Sequence, residues 1–339
     1  MFRMKRIGQA RRTSSLSLRR SATRNEHSKL QRRLLLRSLL LSAMSVGFQG
    51  VAYGDASGLP SGANIVGGQV AIATAGNTLD VTAATSRAIV DWNSFNVGAG
   101  NIANFNLPDA NSAILNRVTS ANMPSTLAGA INSNGNVYLV NPSGIVVSST
   151  GMINTNGFTA STFDIANDQF MAGGALTFTG NNSSALIINN GTINTGTGGA
   201  HLIANEIANH GQITSTGGNI TLSGGGTVTL NNGVTYIQPT LETLSNGISP
   251  TAGLIQNTGM IRATGAATSG GEVYLVNPNG RILHDGTILA GVQALAASAP
   301  VNTPQGWTPI TGGRVQLEAD DITLTTNSTI DATGTHRGF

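Results

Sequence analysis

The chain has 339 residues, of which 44 are Gly and none is Cys, and only 10% carry a charge. A globular domain usually contains about 25% charged residues, so amides and hydroxyls must supply most of the polar surface here. Without Cys, a disulfide framework and a thiolate metal site are both excluded.

The formal net charge of +3 conceals an uneven distribution. Residues 1–37 hold twelve of the eighteen basic residues and a single acid, Glu26. From Asp55 onward there are six basic and fourteen acidic residues, which gives this part a net charge near −8. Because an acidic surface does not attract a polyanion, we expect no nucleic-acid partner.

The amino-terminal segment has the organisation of a signal peptide. An apolar run over residues 39–46 follows the basic stretch, and small residues then lead to Gly54 and Asp55. We predict an extended signal peptide over residues 1–54, cleaved between Gly54 and Asp55. The apolar run is too short to span a bilayer, which takes about 20 residues. A basic arm that binds nucleic acid is the alternative interpretation of the arginine cluster.

Residues 62–118 contain short runs of strand-forming residues separated by Gly, Asn and Pro. The predicted strands cover residues 65–66, 70–73, 79–81, 88–92, 102–105 and 113–118. Trp92, Phe95 and Phe105 fall in this region, and two roles remain open for them. They either close one end of a hydrophobic core or form a platform on which sugars stack.

One stretch occurs twice in the chain. Residues 135–146 read GNVYLVNPSGIV, and residues 271–282 read GEVYLVNPNGRI. Val and Tyr favour a strand, Pro removes a ladder donor, and Gly144 or Gly280 supplies a position of positive φ. Each copy therefore predicts a strand that ends in a turn, and the repetition predicts a repeat architecture.

A shorter phrase recurs between residues 151 and 334, in which Ile follows Gly by two positions. Its copies begin at Gly151, Gly191, Gly211, Gly259 and Gly286, with a variant at Ser328. The first five starts are 40, 20, 48 and 27 residues apart. A unit of this size fits one coil of a right-handed parallel β-helix.

Magnitudes favour stacked coils over independent units. Ordering about 20 residues costs roughly 30 kcal/mol at about 1.5 kcal/mol each, whereas each buried Ile, Leu or Val returns only about 1.5–3 kcal/mol. Stacked coils share hydrogen bonds and let Asn and Thr pair with identical neighbours above and below. We therefore predict an all-β fold, a right-handed parallel β-helix or solenoid with an N-terminal β cap and extra-helical hairpins or loops.

Some segments depart from this rhythm. Apolar residues recur at helical spacing only over residues 161–171 and 290–298. Residues 234–252 and 292–310 contain several Pro and are predicted to be loop excursions from the helix.

Residues 89–160 resemble the amino-terminal secretion domain of filamentous-haemagglutinin-like exoproteins, the passengers of two-partner secretion. The matching segments are Ile89–Gly98, Ala113–Thr119, Val137–Ile145 and Gly151–Ser161. With the leader, the resemblance extends over roughly residues 30–200, and the later phrases look like the repetitive stalk of the family.

The resemblance implies a β-helix that crosses the inner membrane unfolded and is recognised in the periplasm by an outer-membrane two-partner-secretion transporter. The chain would then fold on the surface of a Gram-negative-type bacterium and remain there or be released. This favours the general secretory route over the twin-arginine route, although residues 32–37 are similar to a twin-arginine signal, since the latter route carries folded proteins. A host-cell, glycan or neighbouring-cell receptor is the expected second partner, and the chain is expected to be a monomer.

The resemblance also places a secretion motif on particular residues. The family's Asn-Pro-Asn-Gly-Ile falls on Asn141, Pro142, Ser143, Gly144 and Ile145, with Ser143 in place of the usual Asn, which puts any contact specific to that Asn in question. The second copy of the motif, Asn277, Pro278, Asn279 and Gly280, keeps the Asn and loses the Ile.

We expect residues 55–200 to form the two-partner-secretion domain, comprising the N-terminal cap and first coils, and residues 201–339 to form further coils.

No pattern of residues predicts a catalytic, cofactor or metal site. The histidines do not show metal-ligand spacing, and His201 and His210 are expected to be exposed or paired within a ladder. Asp320 and Asp321 are the only adjacent acids after Asp55. We predict a non-enzymatic surface protein that acts in adhesion. The alternatives are a polysaccharide-active β-helix enzyme and a structural cell-surface or matrix protein.

Overall fold

The structure is a computed structural model, and it describes residues 58–180, 185–225, 227–231, 235–237, 253–265, 271–292 and 312–333. Within these residues the chain is built almost entirely of strands. In chain order they are β1 (Asn64–Gly67), β2 (Val70–Ala75), β3 (Thr78–Ala83), β4 (Arg87–Trp92), β5 (Ile102–Asn106), β6 (Ala113–Val118), β7 (Ser125–Leu127), β8 (Ala130–Ser133), β9 (Asn136–Val140), β10 (Ile145–Val147), β11 (Met152–Ser161), β12 (Ala175–Thr179) and β13 (Leu186–Asn189). They continue as β14 (Thr192–Ile203), β15 (Glu206–Asn209), β16 (Gln212–Thr216), β17 (Ile220–Ser223), β18 (Thr227–Asn231), β19 (Thr235–Ile237), β20 (Leu254–Asn257), β21 (Met260–Gly265), β22 (Glu272–His284), β23 (Thr287–Val292), β24 (Arg314–Leu324) and β25 (Thr329–Asp331). A short helix, α1 (Asn167–Ala172), lies between β11 and β12.

Successive coils stack through three faces of parallel strands, which confirms the predicted parallel β-helix. Face 1 contains β3, β5, β8, the first halves of β11 and β14, then β16, β21, β23 and β25. Face 2 contains β4, β6, β9, the second halves of β11 and β14, then β17 and the first halves of β22 and β24. Face 3 contains β7, β10, β13, β15, β20 and the second halves of β22 and β24. Parallel crossovers of this kind are almost always right-handed.

The shorter sequence phrase forms the strands of face 1. Its isoleucines pair in register from one coil to the next and are fully buried; they are Ile153, Ile193, Ile213, Ile261 and Ile288. Because side chains alternate across a strand, this register places one apolar column inside the helix. Burial of each Ile contributes about 1.5–3 kcal/mol. The irregular spacing of the phrases therefore reflects insertions of different length between equivalent strands, which include α1, β12, β18 and β19.

The two VYLV segments lie on face 2, in the same columns. Val137 and Val273 are connected in register through Phe158, Ala200 and Ile220. The two copies of the repeated sequence thus occupy the same position on face 2, in two coils that are separated by three other coils.

A buried amide ladder runs along face 3. Asn189 Nδ2 donates to Asn209 Oδ1 at 2.8 Å, and Asn209 Nδ2 donates to Asn257 Oδ1 at 2.7 Å. The Asn189 Oδ1 accepts the backbone N–H of Gly191, which fixes the direction of the ladder. Asn257 Nδ2 therefore donates to His284 Nδ1 at 3.1 Å, so the proton of this imidazole is on Nε2, which lies 3.3 Å from the Thr329 carbonyl. The predicted pairing of like polar side chains is confirmed here.

Antiparallel strands close the amino-terminal end. β2 pairs with β3 as a hairpin whose turn contains Gly76, and β1 pairs with β4. Trp92 packs edge-on against Phe95 at 5.8 Å, and Phe95 stacks on Phe105 at 6.3 Å. All three rings are at most 1% exposed, so they close one end of the hydrophobic core, which is the first of the two predicted roles. The sugar platform is wrong, because no ring face is accessible.

A second, smaller core lies outside the helix. β12, β18 and β19 form an antiparallel sheet, and with α1 they cover the outer side of face 2. Apolar residues from both layers make up this core, namely Ile89, Ala113, Leu115, Tyr138, Val140 and Ile203 from the coils and Phe163, Ile165, Phe170, Leu176, Phe178, Val228 and Leu230 from the cover. Burial raises the pKa of Tyr138.

This cover includes parts of the sequence that were predicted to leave the coils. The helical spacing over 161–171 corresponds in part to α1, which is shorter and begins later. Of the predicted excursion 234–252, residues 235–237 form β19, and residues 238–252 lie outside the described residues. Val292 ends β23, whereas 293–310, including most of the pattern over 290–298, also lie outside them.

Two arginines fasten α1 to the first coils. Arg117 donates to Asp164 at 2.8 Å, to Asn167 at 2.8 Å and to the Ile165 carbonyl at 2.7 Å, and its Nη1 lies 3.2 Å from Asp91. Arg87 donates to the Phe170 carbonyl at 2.8 Å, and its guanidinium lies over the Phe170 ring. Their roles were not evident from sequence because the partners are far away in the chain.

In the described part of the chain, no helix has the length and apolar character needed to cross a membrane.

Replacement of Asn209 by Leu tests the face 3 ladder. This change removes the hydrogen bonds that join Asn209 to Asn189 and to Asn257 and leaves the Asn257 oxygen buried without its donor, so the free energy of unfolding should fall by about 2–5 kcal/mol. Asn132→Ala, in a half-exposed amide ladder on face 1, should cost only about 0.5–1.5 kcal/mol, because water can replace the lost contact. Urea unfolding followed by circular dichroism measures both; equal losses would contradict the assignment.

Candidate functional site

The predicted secretion motif forms the corner between faces 2 and 3 of the helix. Asn141 directly follows β9, and Ile145 begins β10. The Asn141 N–H donates to the Ser161 carbonyl in the next coil at 2.9 Å, and the Gly144 N–H donates back to the Asn141 carbonyl at 3.0 Å. The motif is therefore a tight turn inserted between two ladder positions, as the sequence predicts.

The Asn141 side chain connects this corner to the preceding coil. It is 0% exposed, and its Nδ2 donates to the Met123 carbonyl at 2.9 Å and to Ser125 Oγ at 3.0 Å. Its Oδ1 accepts the Ser143 N–H at 2.9 Å. Both amide protons and the oxygen are thus used inside the protein, which stabilises a buried amide.

The replacement of the usual Asn by Ser143 leaves this network intact. The bond to Asn141 uses the backbone N–H of residue 143, which any residue except Pro supplies. In the folded corner, therefore, no contact of Asn141 depends on an Asn side chain at position 143.

Glycine is required in the first copy for its backbone conformation. Gly144 has φ of 116°, a region that other residues rarely adopt. A Cβ there would also lie 3.1 Å from the Leu186 carbonyl oxygen of the next coil.

The prediction of a positive φ at Gly280 is wrong. Gly280 lies inside β22, which runs continuously around the second corner, and it has no positive φ. Its constraint is space, since a Cβ would lie 2.2 Å from Asn277 Nδ2 and 2.5 Å from the Gly253 carbonyl oxygen. The same residue type therefore serves a different physical need in each copy.

The second copy has weaker connections. Asn277 is buried at the same corner, because the 141 position continues through residues 162, 204 and 224 to 277 by interstrand hydrogen bonds. Its Nδ2 donates at 3.3 Å to the carbonyl of Arg281 in its own coil, whereas Asn141 reaches the coil below. Pro278 is half-buried. The two copies occupy equivalent corners but are four coils apart and share no site.

Some expectations fall outside the described residues. The predicted cleavage site, Gly54 and Asp55, lies outside the described residues, and only the backbone of Asn279 is described.

Sequence reasoning missed Met123 and Ser125, the partners of Asn141, because no local sequence signal relates a corner to the coil below.

The other polar groups singled out by sequence are engaged in the fold. His210 Nδ1 lies 2.7 Å from Thr258 Oγ1, and burial lowers the pKa of this imidazole. His201 is buried. Asp321 forms an ion pair with Arg281 at 2.8 Å. Among the described residues, no group of three His, Asp or Glu side chains is arranged to hold a metal ion.

A parallel β-helix with an N-terminal cap and an Asn-Pro turn at a fixed corner defines the class of secreted exoproteins with a β-helical secretion domain. The model of the TPS (two-partner secretion) secretion domain matches residues 56–269. The chain belongs to this family, whose members are secreted across the outer membrane of Gram-negative bacteria through a partner transporter.

Relatives and a solved structure agree with this assignment. The chain is 30% identical over 292 residues to a heme/hemopexin-binding protein of Haemophilus influenzae, covering 84% of this chain and 30% of that protein. A second heme/hemopexin-binding protein of Haemophilus influenzae is 32% identical over 117 residues, covering 34% of this chain and 12% of that protein. The crystal structure of the HMW1 secretion domain from Haemophilus influenzae superposes with a TM-score of 0.61 at 30% identity, over 81% of this chain and 74% of that one.

The chain thus spans less than a third of the length of the curated relatives it matches. These relatives are binding proteins and secretion domains, and none is described as an enzyme.

Replacement of Asn141 by Ala tests the corner. It removes three hydrogen bonds from a buried site, so we expect the free energy of unfolding to fall by about 2–4 kcal/mol. Asn277→Ala is the matched control, and it should cost only about 1 kcal/mol because, within the described part of the chain, its side chain donates a single long hydrogen bond. Thermal and urea unfolding of the two variants measure the difference. A larger loss at Asn277 would contradict the geometry.

Proposed function

We propose that the chain is an exported, filamentous-haemagglutinin-like surface protein whose first coils direct it to the outer-membrane transporter. In this proposal residues 1–54 are removed as a signal peptide, and residues 55–200 carry the information for secretion. Residues 201–339 add further coils, and the folded product acts as a monomeric adhesin. Residue 200 lies inside β14, so the β-helix is continuous across the proposed boundary between residues 200 and 201. The boundary separates the part of the chain that the transporter recognises from the part that it does not.

The observation that carries the proposal is the burial of the motif. Every polar group of the Asn141 side chain is bonded within the folded protein. A transporter therefore reads this side chain only before the corner closes, that is, while residues 135–158 are extended. After export, the same amide stabilises the corner between coils. One motif thus serves recognition first and folding second.

The alternative of a polysaccharide-active enzyme has less support. The one adjacent acidic pair does not act as a free dyad, because Asp321 is neutralised by Arg281. Heme and hemopexin binding are activities of the two Haemophilus influenzae relatives, and the function proposed for this chain does not include them.

Deletion of residues 135–158, or replacement of both Asn141 and Pro142 by Ala, should leave the chain in the periplasm or degraded. The measurement is the fraction of chain recovered outside cells that express the partner transporter. Unchanged release would contradict the proposal.

Ile213→Ala separates recognition from stability. It creates a cavity in the core far from the motif and should cost about 2–5 kcal/mol in unfolding free energy, comparable with Asn141→Ala. We expect the Ile213 variant to be released and the Asn141 variant to be retained. Equal retention of both would assign the effect to folding alone.

A further inference from the structure

The outer side of face 1 is open to solvent. The described elements that lie outside the coils pack on face 2, whereas the outward residues of face 1 are half-buried or exposed, with Met152 at 48%. This surface extends over several coils, because its strands are paired in parallel from one coil to the next. It is not used by the proposed secretion motif.

A row of amides, the amide row, runs along this surface and consists of Asn104, Asn132, Asn154 and Asn194. They occupy one register column. Each Nδ2 donates to the Oδ1 below it, at 3.1 Å for Asn132, 3.4 Å for Asn154 and 3.0 Å for Asn194. Asn104 Nδ2 donates to Asp80 Oδ1 at 2.9 Å, so the direction is set by a carboxylate at the first coil.

The ladder leaves half of each amide unused. An Asn side chain has two N–H donors and an oxygen with two lone pairs. An Asn inside the ladder uses one N–H to donate to the coil below and one lone pair to accept from the coil above. These side chains are half-buried, so the remaining donor and lone pair of each amide can bond to a ligand, and they repeat at the strand separation of about 4.7–4.9 Å. Because the ladder already holds the rotamers, a ligand that binds them orders few side chains.

An apolar row accompanies the amide row. Ile102, Ala130 and Met152 form the adjacent outward column. Each lies two residues before an Asn of the amide row, which corresponds to about 6.7 Å along a strand. The surface therefore offers a strip of hydrocarbon beside a strip of hydrogen-bonding groups.

Charge and composition select the ligand class. Along the outward column from Asn104 to Thr214 no side chain is charged; Asp80 lies at one end and Arg262 at the other. A polyanion requires clustered Arg or Lys, and the residues that contribute most binding energy at protein–protein interfaces are enriched in Trp, Tyr and Arg. Both rows lack these residue types. A neutral polymer with hydroxyl groups and C–H faces fits the two rows.

We propose that the outer side of face 1 binds a linear, neutral glycan, laid along the amide row with its sugar rings against the apolar row. The inference deepens the adhesion part of the proposed function. It does not depend on the secretion motif, so that either proposal can fail without the other.

Binding is tested with the purified, folded full chain and the neutral hexasaccharides cellohexaose, chitohexaose and mannohexaose. We expect at least one to bind, and the double variant Asn132→Ala/Asn154→Ala to weaken binding about tenfold, as the loss of two hydrogen bonds implies. Met152→Glu should weaken it by a similar factor of about ten, because the ring would meet a charged side chain.

Met260→Glu is the matched control. Met260 lies in the same column, beyond the apolar row, and its change should alter affinity by less than about twofold. Circular dichroism and the thermal midpoint check that each variant is folded. The proposal is overturned if no neutral hexasaccharide binds at about 10 mM, well above the weak-binding range. It is equally overturned if Met152→Glu leaves binding unchanged, or if heparin and polygalacturonate bind in their place.

Discussion

The pairing of each coil with the next, in register, is the constraint on which every other feature of this protein depends. One coil cannot bury enough apolar surface to compensate for the entropy of ordering its own residues. When Ile193 lies over Ile153 and under Ile213, each buries the next, and the backbone groups of three coils satisfy one another. The same register sets the amide ladders and fixes where each corner must turn. A polar, weakly charged sequence thereby reaches a stable fold without Cys.

Sequence periodicity predicted the coils well because the physical reason for the repeat is local. Gly-x-Ile phrases at Gly151 and Gly191 must supply the same inward side chain, so the pattern is visible without knowing which coil is adjacent. The strands of residues 62–118 could be predicted for a similar reason, since strand-forming runs alternate there with turn residues. The corner at Asn141 was also visible, because Asn-Pro and Gly have characteristic turn chemistry.

Contacts between distant segments could not be predicted in this way. The bonds from Asn141 to Met123 and Ser125 depend on the height of one coil above another. Arg117 has four partners, three of them more than forty residues away, and none follows from spacing. At Gly280 the sequence suggested the conformation of Gly144, but the crowding by Asn277 and Gly253 decided the outcome.

The outer sheet on face 2 has a consequence for the order of assembly. β12 pairs with β18, so that Thr177 meets a residue 52 positions later in the chain. Any process that delivers the polypeptide from its amino terminus must leave Leu176 and Phe178 without their strand partners while the intervening coils emerge. Once β18 has formed, its pairing with β12 connects the coils that lie between them in the sequence. Those coils can then separate from one another only after β12 and β18 have separated.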